Sequence, residues 1–403
     1  MITIVGGVYR ERCMRPVWDD IYGSAGRAAT AIARFGGDVA LYAYVDSIGQ
    51  TVMNARAELE GFKFNATIVQ EGVTFEYIHG LASPDIRWDS HASSSLQVSA
   101  DKILRFGMIE GTAVVDADYA VFDPQNADDP ESFNANGSQA KHLAIILNRH
   151  EAHLLVANSR KLTVQELAVA LAKQEHAEVV VIKMGPIGAL VYDNGEISTV
   201  PAYRTERVWK IGSGDTFAAH FALGWMDNSL SAHDAASVAS IATAFYCENQ
   251  GFPDEALLDQ FKPKALRPSE RYRAGHVPKV YLAGPFFTLA QLWLVGQARR
   301  DLLDMGLNVF SPYHDVGLGT AEDVVEKDLE GVRDCDVLFA IGDGLDSGTI
   351  YEIGYARALN KSVVFYAENE SAQDKKMIEG SDCRISDDYV SAIYRMVWEA
   401  VES

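Results

Sequence analysis

The amino-acid sequence predicts an α/β protein of two domains, the second built on a small parallel sheet. The 403 residues exceed the usual size of a single hydrophobic core. Residues 261–278 carry three prolines, are basic within an acidic chain and lack apolar periodicity, as linkers do. Beyond them, apolar runs alternate with helical patterns, as in a doubly wound sheet. We therefore expect domains at 1–260 and 279–403.

The composition is that of an ordinary globular protein with an acidic surface. Apolar residues make up 48% of the chain, charged residues 23%, and the formal charge is −21. Such a charge repels polyanions, so we expect no nucleic-acid partner. The four cysteines lie far apart without a Cys-x-x-Cys pair, which indicates a reducing cytoplasm. No apolar run approaches the ~20 residues of a membrane helix, so we expect a cytoplasmic protein without a membrane partner.

The first domain shows fewer regular patterns than the second. Buried-strand patterns occupy residues 2–6, 39–44, 143–147 and 179–183. We expect shorter strands joined by turns at 67–98, forming a small sheet or lid over a site. Phe217, Phe221 and Trp225 recur at helical spacing, which predicts a helix that begins close to Gly214.

A glycine-rich turn lies at the start of this helix, with the residues Gly212, Ser213, Gly214 and Asp215. Such a turn lets backbone N–H groups converge on an anion, and the helix dipole adds to the attraction. Asp215, at the mouth of the same site, is placed to take a proton from a hydroxyl that attacks a phosphoryl group. The same residues also fit a plain helix N-cap after a tight turn.

The turn at 212–215 resembles the GAGD signature of the ribokinase-like (PfkB) family of sugar and nucleoside kinases. That family also carries an Asn-x-x-Glu element after a central strand, which Asn148 and Glu151 match here. Its strand–glycine hairpin before the ATP site is matched by Gly185 and Gly188.

This resemblance covers residues 1–258 and implies a ribokinase-like fold. It implies Mg-ATP as the phosphoryl source, with Asp215 as the base and the amides of residues 212–214 as the anion hole. Glu151 would organise the phosphate region and hold Mg²⁺ through water.

The sequence departs from the family on the acceptor side. Residues 209–211 are Trp-Lys-Ile where the family usually has Asp-Thr-Thr, and Ala28 stands where an asparagine is usual. Glu11 is a poor substitute for the acidic residue that normally grips sugar hydroxyls. The acceptor is therefore an unusual sugar or nucleoside, or the domain binds a nucleotide without turning it over.

The second domain alternates strand and helix patterns. Strands are predicted at 279–283, 308–310, 337–341 and 362–366, and helices at 288–305, 322–333, 349–359 and 387–401. This order predicts a small, doubly wound, flavodoxin-like parallel sheet.

Two carboxylates follow the apolar run at 337–341, where open α/β sheets place their ligands. Glu352 is expected in the first turn of the next helix, where the dipole favours its ionised form. An ionised carboxylate there can attack a sugar carbon and carry a covalent glycosyl intermediate. A plain carboxylate near a helix start is the alternative.

Residues 279–286 and 346–356 resemble motifs of the nucleoside 2-deoxyribosyltransferase family, which includes related N-glycosidases. The resemblance implies that Glu352 is the nucleophile and that Asp346 lies near the base or sugar. It also implies that Asp328 donates a proton or hydrogen bond to the departing base and that Tyr281 orients the nucleophile. A solvated helix face for Asp328 and a core position for Tyr281 are the alternatives.

The resemblance implies further contacts with the substrate, from Gly284, Ser347 and Gly348. In the transferases an Asn-x-Met element, often from a neighbouring subunit, contacts the sugar 5′ side. Lys375 and Met377 occupy that place here, so we expect a homo-oligomer and a preference for a 5′-phosphate. The lysine is alternatively an ordinary surface charge.

Together these patterns predict a bifunctional enzyme that processes nucleosides or nucleotides. The first domain would phosphorylate a sugar or nucleoside with Mg-ATP, and the second would cleave an N-glycosidic bond by transfer or hydrolysis. The alternative is a nucleotide-sensing PfkB-like domain that controls a nucleosidase.

Overall fold

The computed structural model describes residues 1–88, 95–126 and 128–403. The chain forms two compact units. The first comprises Met1–Thr205 with Trp209–Lys264, and the second comprises Glu206–Val208 with Ala265–Ser403. Within the described ranges, no helix is both long and apolar enough to cross a membrane.

The first unit alternates strands and helices. Its strands are β1 (Ile2–Val5), β2 (Arg10–Arg15), β3 (Trp18–Ile21), β4 (Val39–Val45), β5 (Lys63–Ile68), β6 (Thr74–His79), β7 (Asp85–Arg87), β8 (Leu96–Phe106), β9 (Ala113–Asp123), β10 (Gln139–Asn148), β11 (Val179–Lys183), β12 (Gly188–Asp193), β13 (Glu196–Pro201) and β14 (Tyr203–Arg204), and β15 (Lys264–Ala265) lies at the unit boundary. Its helices are α1 (Gly23–Arg34), α2 (Ser47–Glu60), α3 (Arg149–Leu155), α4 (Val164–Glu175), α5 (Ser213–Ala222), α6 (Ala232–Asn249) and α7 (Glu255–Gln260).

A mixed sheet forms the centre of this unit. Over the described residues it has nine strands in the order β13-β12-β11-β10-β9-β8-β1-β4-β5. In this order, the strands from β11 to β5 run parallel to one another. Strand β12 runs antiparallel to both of its neighbours, β11 and β13. The parallel strands therefore end at one edge, where β9, β10 and β11 finish on Asp123, Asn148 and Lys183.

A second, smaller sheet has the order β3-β2-β6-β7. The predicted small sheet is thus present, and β6 and β7 come from the span 67–98. Residues 89–94 of that span lie outside the described residues. Its other strands, β2 and β3, were not predicted, because their charged and aromatic residues lack a buried-strand pattern.

The second unit is a parallel sheet flanked by helices. Its strands are β16 (Lys279–Ala283), β17 (Asn308–Phe310), β18 (Val337–Ile341), β19 (Ser362–Tyr366) and β20 (Arg384–Ser386). Its helices are α8 (Glu270–Arg273), α9 (Leu289–Asp304), α10 (Ala321–Asp334), α11 (Ser347–Ala358), α12 (Ala372–Gly380) and α13 (Tyr389–Glu402). The strand order β17-β16-β18-β19-β20, all parallel, is the doubly wound order of flavodoxin-like sheets. The predicted fold class is confirmed.

A glycine sets how closely α10 packs on this sheet. A Cβ on Gly331 would lie 2.4 Å from the ring of Phe310, which ends β17. Phe310 in turn stacks on Tyr281 of β16, with ring centroids 5.5 Å apart. Only glycine allows this approach, so the packing of α10 depends on residue 331.

We predict that Gly331→Ala destabilises the second unit by about 1–3 kcal/mol, because the added methyl group overpacks against Phe310. Gly354→Ala is the matched control, since a Cβ there meets nothing within 4 Å in α11. That variant should be neutral or up to about 1 kcal/mol more stable. Urea unfolding of the full chain, with the second unit followed by hydrogen exchange, measures both. Equal stabilities of the two variants would contradict this account of the packing.

Candidate functional site

The first unit places the glycine-rich turn and the start of α5 beside Lys183, at the carboxyl edge of its main sheet. Gly212 precedes α5 in a left-handed conformation, with φ +79°. Ser213 and Gly214 begin the first turn; the Ser213 N–H donates to the Lys210 carbonyl at 3.1 Å, whereas the next N–H groups of the turn lie too early in the helix for an intrahelical partner. A Cβ on Gly214 would lie 3.4 Å from Nζ of Lys183, so this ammonium group stands beside the helix start.

Cations and carboxylates meet at this helix start. Lys183 Nζ donates to Oδ2 of Asp123 at 2.6 Å, and Lys210 Nζ donates to Oγ of Ser213 at 3.1 Å. Burial raises the pKa of Asp123 to about 7, and the Lys183 ammonium opposes that rise. Burial lowers the pKa of Lys210. Neither Asp123 nor Lys183 was predicted as a site residue, although each directly ends an apolar run.

Asn148 and Glu151 occupy the start of α3, next to the end of β11. Oδ1 of Asn148 accepts from the Glu151 N–H at 2.9 Å, and Oε2 of Glu151 accepts from the Asn148 N–H at 2.8 Å. Glu151 is buried, and burial raises its pKa against the attraction of Lys183. Gly185 and Gly188 bound the short turn between β11 and β12, both with positive φ.

Asp215 lies in the first turn of α5 and is engaged on both oxygens. Its Oδ2 accepts from Nη1 of Arg27 at 2.8 Å, and its Oδ1 accepts from Nε2 of Gln125 at 2.5 Å. The Arg27 side chain is 0% exposed and also bonds Glu11 at 2.6 Å. Glu11 therefore pairs with a cation of the protein itself. Sequence reasoning missed Arg27, whose signal was a single charge among the small residues of α1.

The second unit brings Tyr281 and Glu352 into direct contact. The buried phenol of Tyr281 donates to Oε1 of Glu352 at 2.7 Å. Helix α11 begins at Ser347, so Glu352 lies in the second turn, beyond the expected first turn. Burial raises its pKa to about 7, the Tyr281 hydrogen bond opposes the rise, and the charges of Asp328 and Asp346 add to it. The expectation that the dipole favours the ionised form is wrong, because burial dominates.

Asp328 and Asp346 lie within electrostatic reach of Glu352. Asp328 is half-buried on α10, and burial raises its pKa. Its Oδ1 is shielded from solvent and has no hydrogen-bond partner within the described parts of the chain. Asp346 is the N-cap of α11, and its Oδ2 accepts from the backbone N–H and Oγ1 of Thr349 at 3.0 and 3.2 Å.

The predicted substrate contacts fall on two elements of the second unit. Ser347 and Gly348 form the first turn of α11. Gly284 follows β16, where a Cβ would lie 3.1 Å from the Cβ of Ile341. Lys375 and Met377 lie on α12, Lys375 half-buried and Met377 81% exposed.

Fold and sites together define an α/β chain with buried titratable groups at the carboxyl ends of the parallel strands in both units, an arrangement typical of enzymes. Residues 118–254 match the family model of the pfkB family carbohydrate kinases. Residues 280–387 match the model of the nucleoside 2-deoxyribosyltransferases. The chain therefore carries a PfkB-family domain followed by a nucleoside 2-deoxyribosyltransferase domain, and the predicted fusion is confirmed.

Several kinases of solved structure are similar to the chain. A nucleoside kinase of Burkholderia thailandensis in complex with inosine is 16% identical, covers 66% of this chain and 100% of its own, and gives a TM-score of 0.47. A ribokinase of Cryptococcus neoformans in complex with ADP is 19% identical, covers 64% of this chain and 98% of its own, and gives a TM-score of 0.47. Phosphofructokinase-2 of Escherichia coli is 12% identical, covers 64% of this chain and 97% of its own, and gives a TM-score of 0.48. A comparison with curated proteins found no match.

We predict that Glu352→Gln stabilises the chain above neutral pH. Between the ordinary value of 4.5 and the folded pKa of about 7, the unfolded chain has released a proton that the folded chain retains. The free energy of unfolding of the wild type therefore falls as the pH rises through this window. The variant lacks this loss, so its free energy of unfolding should exceed that of the wild type by about 2–3 kcal/mol above pH ~7.

Denaturant unfolding across this pH range measures the effect. Glu330→Gln is the control, at an exposed position of α10. Parallel stability profiles for wild type and Glu352→Gln would show that Glu352 is not held protonated by burial.

Proposed function

We propose that the chain is a bifunctional enzyme. The second unit cleaves an N-glycosidic bond of a nucleoside or nucleotide through a covalent intermediate on Glu352. The first unit transfers a phosphoryl group from ATP to a hydroxyl of a sugar or nucleoside. The observation that carries the glycosidic activity of the second unit is the Tyr281–Glu352 hydrogen bond inside a buried, carboxylate-rich site.

The two carboxylate oxygens of Glu352 have different roles in the cleavage of the glycosidic bond. Tyr281 holds Oε1, so Oε2 is the oxygen that attacks the anomeric carbon. The C–N bond breaks as the C–O bond forms, and the base departs with its electron pair. Asp328 supplies a proton or hydrogen bond to the base, a role supported by its raised pKa and unpartnered Oδ1. Water or a second base then attacks the same carbon and releases Glu352.

The substrate class follows from α12. We propose that Lys375 contacts a 5′-phosphate, because an ammonium group compensates phosphate charge better than the asparagine of the family. The exposure of Met377 on the same helix supports its use by a neighbouring copy in a homo-oligomer. The four cysteines are buried and form no disulfide, which supports a reducing, cytoplasmic setting.

The phosphoryl-transfer activity is supported by the α5 helix start. The N–H groups of Gly214 and Asp215, together with Lys183 and Lys210, would bind phosphate oxygens. Asp215 takes the proton of the acceptor hydroxyl, whose oxygen bonds to the γ-phosphorus as the bond to ADP breaks. Gly185, Gly188 and Asn148 would border the nucleotide.

Magnesium fits this site as an ion shared with the phosphates. Over the described ranges, no three His, Cys, Asp or Glu side chains form a metal cluster. Mg²⁺ is commonly held by one or two carboxylates together with substrate phosphates. Glu151 would supply such a carboxylate through water, and the ion would neutralise charge on the transferring group.

A second candidate function is favoured by the Arg27–Asp215 ion pair. With its base bound to a buried cation, the first unit would act as a nucleotide sensor that controls the second. ATP binding without turnover supports this alternative. Turnover that depends on Asp215 excludes it.

We predict that Glu352→Gln abolishes base release and that Tyr281→Phe moves its pH profile. Activity should rise with pH through about 7, as Glu352 ionises. Loss of the Tyr281 hydrogen bond removes an interaction that lowers the pKa of Glu352, so the midpoint of this rise should move to higher pH. Mass spectrometry of products from nucleoside and nucleotide panels provides the measurement.

Tyr389→Phe is the matched control, because it removes another tyrosine–carboxylate contact, to Asp301 at 2.5 Å. The midpoint of the pH profile of base release in this variant should stay at the wild-type value. Unchanged base release in Glu352→Gln would refute the nucleophile assignment. Nucleosides cleaved as fast as their monophosphates would refute the role of Lys375.

We predict that Asp215→Asn lowers phosphoryl transfer by about 10²–10⁴-fold, the contribution of a general base. Nucleotide binding should persist, because the amides and lysines of the α5 helix start are unchanged. Asp227→Asn, which removes a surface pair with Lys102, serves as the control. ATP turnover equal to wild type in Asp215→Asn would contradict the assignment of the base.

A further inference from the structure

Gln125 follows the end of β9 and contacts Asp215 through its side-chain amide. Its Nε2 donates to Oδ1 of Asp215 at 2.5 Å, while Nη1 of Arg27 donates to Oδ2 at 2.8 Å. Each oxygen of an ionised carboxylate can accept two hydrogen bonds, so both oxygens can still accept from a further donor. The two contacts therefore orient Asp215 and leave it able to bind a substrate hydroxyl.

The turn that carries Gln125 is closely packed and adopts an unusual backbone conformation. A Cβ on Gly107 would lie 1.8 Å from the carbonyl oxygen of Pro124, so only glycine allows this approach. Gln125 has a φ of +44°, which residues other than glycine rarely adopt. Such backbone strain clusters at functional sites, where the surrounding structure maintains it. The backbone thus supports a functional role for the Gln125 side chain.

The contact with Asp215 determines which way the amide of Gln125 faces. An ionised carboxylate only accepts hydrogen bonds, so the nitrogen of the amide is the atom that meets it. The amide oxygen, Oε1, has no hydrogen-bond partner among the residues that the structure describes. It is bonded to the same carbon as Nε2 and therefore lies close to Asp215. Ionised phosphate oxygens only accept as well, so a hydrogen-bond donor for Oε1 has to come from the substrate that receives the phosphoryl group.

A second polar group without a partner lies on the small sheet. In the pairing of β2 with β6, Glu11 is opposite Phe75, and Tyr77 lies two residues further along β6, on the same face. Glu11 on this face binds Arg27 at 2.6 Å. Burial raises the pKa of Tyr77, and the charges of Glu11 and Asp215 add to the rise. Within the described ranges, the Tyr77 hydroxyl has no hydrogen-bond partner, and its ring stacks on Phe75 with centroids 6.3 Å apart.

We propose that Gln125 and Tyr77 bind the phosphoryl acceptor, and that this acceptor carries a second hydroxyl one or two carbons from the hydroxyl that is phosphorylated. This inference rests on the proposed phosphoryl-transfer activity. The reacting hydroxyl donates to Asp215, and the second hydroxyl donates to Oε1 of Gln125. The phenol of Tyr77 donates to another oxygen of the acceptor. These two residues take the place of Glu11, whose carboxylate is bound by Arg27.

The chemical class of the acceptor follows from this pair of hydroxyls. A sugar, or the ribose of a nucleoside, carries such a pair, whereas an alcohol with a single hydroxyl does not. In a ribose unit phosphorylated at carbon 5, the 3-hydroxyl is the hydroxyl nearest to the reacting one. The 3-hydroxyl is therefore the group that Gln125 binds in such an acceptor.

The test measures how strongly the full chain discriminates between acceptors with and without this hydroxyl. D-Ribose, adenosine and inosine are each supplied with Mg-ATP alongside their 3-deoxy analogues, and phosphorylated products are quantified by mass spectrometry. The wild type should phosphorylate at least one hydroxylated acceptor with a kcat/KM at least about tenfold above that of its analogue, because the analogue leaves Oε1 unpaired. In Gln125→Leu this ratio should fall towards one. Equal losses on both acceptors, as a purely structural role predicts, would overturn the proposal.

Tyr77→Phe keeps the ring and removes only the hydroxyl, so the KM for the acceptor should rise about threefold or more while the KM for ATP stays unchanged. An unchanged KM for the acceptor would also overturn the proposal. Gln297→Leu is the matched control, because it removes another glutamine–aspartate hydrogen bond, to Asp301 at 3.0 Å in the second unit. Its acceptor ratio and KM values should equal those of the wild type.

The wild-type measurements separate this proposal from the proposed function on which it rests. If the wild type phosphorylates none of the six compounds, the phosphoryl-transfer proposal fails for this class of acceptor, and the acceptor site fails with it. If the wild type phosphorylates hydroxylated and 3-deoxy acceptors equally well, phosphoryl transfer stands and only the acceptor site is refuted.

Discussion

Burial of carboxylates at the carboxyl ends of parallel strands in the two units is the constraint on which both sites depend. A carboxylate removed from water must be paired with a cation, be hydrogen-bonded or become protonated. The first unit uses cations, since Arg27 pairs with Asp215 and Lys183 pairs with Asp123. The second unit gives Glu352 one phenol and two carboxylate neighbours, and its pKa rises to about 7. The first site therefore keeps its buried carboxylates beside cations, whereas the second raises the pKa of Glu352 towards neutrality.

The fold of the second unit could be predicted from the sequence because its central strands β16, β18 and β19 are short and buried on both faces. The runs at Val337–Ile341 and Lys279–Ala283 coincide with strands of the structure. The strands of the first unit were harder to predict, because Leu96–Phe106 and Ala113–Asp123 are long and mix charged with apolar residues. Most of their polar residues are exposed or half-buried, although Arg105 and Asp123 are buried, so neither strand forms a continuous apolar run.

The sites were predictable where their residues adjoin a local motif. Tyr281 lies on β16 and Glu352 lies in the second turn of α11, each within a predicted motif, and the structure joins them by a hydrogen bond. The contact between Arg27 and Asp215 spans 188 positions of sequence, and no local pattern encodes it. The pKa of Glu352 was unpredictable for a related reason: the burial that sets it depends on elements far apart in the chain.

The central claim is that Glu352 forms a bond with the sugar. A double displacement through such a bond retains the configuration of the anomeric carbon, whereas direct attack by water inverts it. The most direct measurement is proton NMR of the first glycoside formed when the enzyme cleaves a β-nucleoside monophosphate in water containing methanol. We expect the β-methyl glycoside as the first product. The α-methyl glycoside as the first product would contradict the covalent mechanism.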